Sequence, residues 1–191
     1  MHLRHRRIVL LFGLLAACAG RPSVKPVESL DERTGITVTT LKESIELLPG
    51  AQFAALAEDK RTSFAYMGPV EWNRSGEFNY GLWVHIAPGS GAQIGDIHAA
   101  GALTLNLDDG AVALTPIEAP KLGRDPYRQV ASWGQTAYFN LTIETLRRMA
   151  ASRKLELDVR AADGSVIAFA PTVDVRAALN EYVQSRGLTG D

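Results

Sequence analysis

The chain has 191 residues, 46% of them apolar, with 20 lysines and arginines against 21 aspartates and glutamates and a single cysteine. Near-balanced charge without a basic stripe or a run of lysines argues against nucleic acid and anionic lipid surfaces as partners, and one cysteine excludes an internal disulfide framework. A chain of this length buries roughly 70% of its unfolded surface, so one domain can stand on its hydrophobic core alone.

The first element is MHLRHRRIVLLFGLLAACAG. Arg4, Arg6 and Arg7 make a basic start, and the uncharged run 8–17 is too short to cross ~30 Å of hydrocarbon, which takes about 20 helical residues. Residues 1–17 therefore read as a secretory signal peptide rather than a membrane anchor. Removing them leaves 17 basic against 21 acidic residues, a formal charge of -4. The order Leu15-Ala16-Ala17-Cys18 resembles the lipobox of bacterial lipoproteins. That resemblance implies a diacylglycerol on the Cys18 sulfur, cleavage just before it, and a fatty acyl group such as palmitate on the new amino terminus. Ala19 stands where lipoproteins kept in the inner membrane carry Asp, so the resemblance also implies delivery to the outer membrane, with the protein facing the periplasm. The body is taken with it as that of a proteobacterial lipoprotein, with no motif that singles out one family.

Residues 18–33 are expected to be the lipidated cysteine and a flexible tether. Pro22 and Pro26 among mixed polar residues disfavour both helix and sheet, and a dozen extended residues reach at most about 40 Å. The domain thus stays near the membrane.

From Thr34 the period changes to two. TGITVTTL predicts a strand with Ile36 and Val38 on one face, and SFAYMGPVEW another, interrupted at Gly68-Pro69 by a bulge or an edge position. FNYGLWVHI places Phe78, Tyr80, Leu82, Val84 and Ile86 on the core face and Asn79, Gly81, Trp83 and His85 on the other. Asn73-Arg74-Ser75-Gly76 turns it back on the preceding strand. ALTLNLDDGAVAL predicts a second hairpin about Asp108-Asp109-Gly110, and KLELDVRAADGSVIAFA a third about residues 162–165. Between them, Ala137, Phe139 and Leu141 suggest a strand, after which Thr142 caps a helix whose apolar residues Ile143, Leu146, Met149 and Ala150 fall at helical spacing. A last helix spans 174–186, with Asp174 as cap and Gly187 as stop. Many short strands separated by turns predict a mainly β fold: one antiparallel β-sandwich over residues 34–191, immunoglobulin-like or related, with two short helices.

Residues that could carry chemistry are sparse. Serine catalysis needs a base, and only His85 and His98 lie beyond the signal; Ala87-Pro88-Gly89-Ser90-Gly91 has glycines without the strand-to-helix setting of a nucleophile elbow. An acylated Cys18 is no nucleophile. Asp108-Asp109 reads as turn chemistry and Glu58-Asp59, beside Lys60-Arg61, as solvated surface. His85, Asp96 and His98 are weak candidates for a metal site, and no metal or other cofactor is expected. The favoured function is a non-catalytic binding or scaffold module on the outer membrane, not an enzyme, with an envelope protein as partner. An apolar-ligand or lipid carrier and a metal-binding protein are the alternatives. Trp83 and His85, on the face opposite the core, are the candidate partner surface unless a loop of the same chain covers them.

Overall fold

Tight turns set where the strands fold back in the computed structural model, which describes residues 25–50, 63–89 and 93–189. Strands β4 (Phe64–Arg74) and β5 (Glu77–Ala87) are joined by Ser75 and Gly76, both at positive φ (52° and 91°). This is the backbone that matches the twist of paired strands, and the Asn73 side chain accepts the Gly76 N–H at 2.8 Å. Asp108 and Asp109 likewise join β6 (Leu103–Leu107) to β7 (Gly110–Ala113), and residues 161–165 join β10 (Leu155–Arg160) to β11 (Val166–Pro171). All three predicted hairpins are present.

The remaining strands are β1 (Val27–Asp31), β2 (Ile36–Thr40), β3 (Ile45–Pro49), β8 (Pro116–Ile117) and β9 (Gln135–Asn140). The pairing order is β7-β6-β10-β11-β3-β4-β5-β9-β8, with β1 on β2 and β2 also on β4. Its two ends are consecutive in the chain. Only Leu114 and Thr115 separate β7 from β8, and they hold both neighbours: the Leu114 N–H donates to Leu103 O at 3.1 Å, and the Asn140 N–H to Thr115 O at 2.8 Å. The antiparallel strands therefore curl into a half-barrel, a β-sandwich-like fold whose corner is made by a segment passing from one layer to the other.

A second corner lies on β4. Thr40 faces Val70 and Ile45 faces Met67, so residues 41–44 lie opposite Gly68 and Pro69 alone. The sequence predicts an interruption of β4 at Gly68-Pro69. Instead β4 runs through unbroken, paired with β5 along its whole length, and the break falls on the partner side, between β2 and β3. Proline has no N–H to give there, which suits a place where the ladder opens. Two further boundaries differ from expectation. The tether ends earlier, because residues 27–31 pair with β2 as β1, and β3 has no counterpart in the sequence reading.

Register puts one residue set inside. Met67 faces Val84, which faces Ala137; Leu82 faces Phe139; Leu105 faces Leu157, which faces Phe169. Leu47, Met67, Leu82, Val84, Phe139, Leu105, Leu157 and Phe169 are all fully buried, each such side chain contributing about 1.5–3 kcal/mol. Phe78 departs from this pattern. It is 50% exposed, because β5 at residues 77–80 extends beyond the end of β9.

Helices α1 (Ile143–Ala151) and α2 (Arg176–Ser185) pack on each other, and no described helix is long and apolar enough to cross a membrane. Thr142 caps α1 as predicted, its hydroxyl accepting the Thr145 N–H at 3.0 Å. Asp174 lies one residue before the α2 N-cap, Val175, and accepts the Arg176 N–H at 3.0 Å. The Arg176 guanidinium holds its carboxyl down to about 2. Gly187, at φ 64°, ends α2 with Leu188 N–H bonded to Val183 O and Gly187 N–H to Gln184 O. Helix α2 is fixed to the inner face of β2 and β4: Tyr182 donates to Thr39 O at 3.1 Å, and Arg186 forks onto the Glu71 carboxylate, which is 1% exposed.

Candidate functional site

The outer face of β2, β4, β5 and β9 carries its own aromatic layer. Alternation along paired strands brings Val38, Val70, Trp72, Trp83, His85 and Tyr138 to this face, opposite the inner core. The connection 118–134, between β8 and β9, lies across it as a strap. Its Gly123 N–H donates to the Asp31 carboxylate, the Arg33 guanidinium donates to Lys121 O at 2.8 Å, and Tyr127 reaches down between the strands. The Tyr127 ring occupies the space that a Cβ at Gly68 would need, and it lies 5.2 Å from the Trp83 ring. Its hydroxyl accepts the Leu41 N–H at 3.0 Å and donates to Pro69 O at 2.8 Å, bridging the gap between β2 and β3. Burial pushes that phenol well above its ordinary range.

Trp83 and His85 are consequently buried completely, and their proposed role as an exposed partner surface is corrected. Their rings stack 5.9 Å apart, 17° from parallel, beneath the strap. His85 Nδ1 is 2.8 Å from Thr136 Oγ1, and Gly134 closes over the other side: a Cβ there would lie 2.7 Å from His85 Nε2. Burial lowers the His85 pKa, so the ring is neutral at pH 7. Among the described residues, Trp72 Nε1, Trp83 Nε1 and His85 Nε2 have no hydrogen-bond partner, and neither does Thr39 Oγ1 on the inner face.

The other candidates do not converge. Asp96 accepts the His98 N–H at 2.9 Å in a local turn, His98 is exposed, and the described residues contain no group of three His, Cys, Asp or Glu side chains able to hold a metal ion. Asp108 accepts the backbone N–H groups of Arg153 and Lys154, which hold its carboxyl below the usual range, while Asp109 forms a two-pronged pair with Arg148 at 2.7 and 2.9 Å. The adjacent aspartates thus face different partners and serve the β6–β7 turn. Cys18, Glu58, Asp59 and Ser90 lie outside the described residues.

Two surface features were missed from the sequence. Of the three tryptophans, the exposed one is Trp133, 67% accessible, on the strap. A groove of about 970 Å³ also opens where the strap leaves the outer face uncovered. It is lined by Ile36 and Trp72, by residues 117–121, by Asn140 to Ile143, and by the end of the β4–β5 hairpin. No periodic signal marks such a groove, because it is assembled from a hairpin end, a strap and a helix start far apart in sequence.

No family model, curated protein or solved structure matches the chain.

Proposed function

We propose that this chain is an outer-membrane lipoprotein, held through Cys18 and facing the periplasm, whose β domain is a non-catalytic binding or scaffold module. The observation that carries the reading is the register of Leu15-Ala16-Ala17-Cys18 behind a basic and then an apolar run. The early start of the domain agrees with it. With β1 beginning at Val27, residues 18–26 make a tether of at most about 30 Å, which keeps the domain beside the bilayer. Two or more acyl chains, each CH₂ contributing about 0.8 kcal/mol on burial, hold such a domain without release. What the domain offers a partner is surface: the strap with Trp133, and the groove beside it.

Fractionation of cells expressing Cys18→Ala tests the anchor. The wild type is expected in the outer-membrane fraction and the variant in the soluble periplasm, with the same melting temperature. A wild type found in the soluble fraction, or a variant that stays with the membrane, contradicts the reading.

A further inference from the structure

We propose that segment 128–134 of the strap is an acid-released cover over His85: when the imidazole takes up a proton, this segment lifts and opens the aromatic layer beneath it to water. His85 is fully buried between Thr136, whose Oγ1 is 2.8 Å from Nδ1, and Gly134, where a Cβ would stand 2.7 Å from Nε2. A neutral imidazole carries one N–H and the cation two, so the charged ring places a donor on each nitrogen. Thr136 Oγ1 can accept from Nδ1, but Nε2 has no acceptor among the described residues. Its proton is met only by water that enters where Gly134 sits.

No counter-charge stands against the ring among the described residues. Tyr66 faces it from β4 with its hydroxyl already donated to the Glu46 carboxylate of β3 at 3.0 Å, Thr136 faces it from β9, and Trp83 stacks on it from β5. Asp125 and Arg128 of the strap are exposed, as are Asp96 and His98 ahead of β6. Burial therefore acts on the ring unopposed and lowers its pKa. The strap gives way at one place because it is held unevenly. Asp31 holds Gly123, and its carboxyl, kept below the usual range chiefly by that N–H, stays ionised at pH 5. Tyr127 is fixed by two hydrogen bonds of a phenol that does not titrate in this range. Residues 128–134 form no hydrogen bond to the sheet among the described residues; the Gly134 N–H turns back to Ala131 O and the Gln129 amide to Asp125. In water the ring has its ordinary pKa near 6.5, so the closed form holds above that value, and the open form gains by up to about tenfold for each pH unit below it. The moving segment carries Val130 and Trp133, so acid alters the surface that the binding-module reading offers a partner. The switch rests on that reading only for its use, because opening is a property of the fold.

Acrylamide quenching of tryptophan fluorescence tests this in the full-length protein carrying Trp133→Phe, which leaves the buried Trp72 and Trp83 as reporters. Between pH 7.5 and 5 the quenching constant should rise at least threefold, while the far-ultraviolet circular dichroism of the strands stays unchanged. Adding His85→Gln should hold the constant at its pH 7.5 level throughout. The His85 Cε1–H signal, followed by NMR in the chain with His85 intact, should titrate together with the quenching. A constant that does not change down to pH 5, a rise that His85→Gln leaves in place, a rise that comes only with loss of the strand signal, or an imidazole that titrates apart from the rise would each overturn the proposal. No partner or membrane enters the measurement, so its outcome is separate from that of the Cys18→Ala fractionation.

Discussion

The Tyr127 hydroxyl replaces a rung missing from the ladder along β4, since it serves the Leu41 N–H and the Pro69 carbonyl where β2 gives way to β3. Tyr127→Phe keeps the ring against Gly68 and Trp83 but strands two buried backbone groups, each costing about 1–3 kcal/mol. Urea unfolding should therefore show a loss of about 2–6 kcal/mol, and a loss under 0.5 kcal/mol, roughly the spread of neutral surface changes, would refute this role. His85 adds a pH dependence. Its folded pKa lies below the ordinary value near 6.5, so on acidification the unfolded chain takes up the proton first. The contribution of the neutral ring is present above about pH 6.5 and is lost as pH falls from there through the folded pKa. His85→Gln should flatten the fall in the urea midpoint between pH 7.5 and 5, and an unchanged slope would show that other groups cause it. The burial of Trp83 and His85 also marks a limit of pattern reading. Alternation put them correctly on the face opposite the inner core, but what covers that face is an irregular segment whose one deep anchor, in RDPYRQ, has no period to betray it.

At the scale of elements, what was legible was local. The three hairpins and the cap and stop of the helices follow from residues within a few positions of each other: positive φ at Ser75 and Gly76, the Thr142 hydroxyl, the left-handed Gly187. Strand β3 was not legible, because five residues ending in proline gain their pairing from β4 and β11, both distant in sequence. The hold on α2 was equally hidden, since Glu71 looks like a surface residue of β4 until Arg186 comes back from a point 115 residues later. Arg186→Ala leaves the Glu71 carboxylate buried without its partner and should cost about 3 kcal/mol or more. Combining it with Glu71→Met should recover much of that loss. If the double variant is no more stable than Arg186→Ala alone, the pair does not act as a unit. Burial, and after it the same carboxylate, push the nearby Tyr80 hydroxyl up to about 12.

For the whole molecule, the fold class was legible because many short alternating strands leave few other ways to bury their apolar faces. The corner at Leu114 and Thr115, where the chain passes from one layer to the other, and the second, strap-covered layer were not, since each is a fact of long-range pairing. The early start at Val27 bears on the proposed anchor: were Cys18 lipidated, a domain that begins nine residues after it would have little freedom to leave the bilayer. The most direct test of the account is therefore the intact mass of the mature protein extracted from outer membranes. A chain beginning at Cys18 and carrying the diacylglycerol and the amino-terminal acyl group is the predicted result, and an unmodified chain beginning at Ala19 or Arg21 would contradict it.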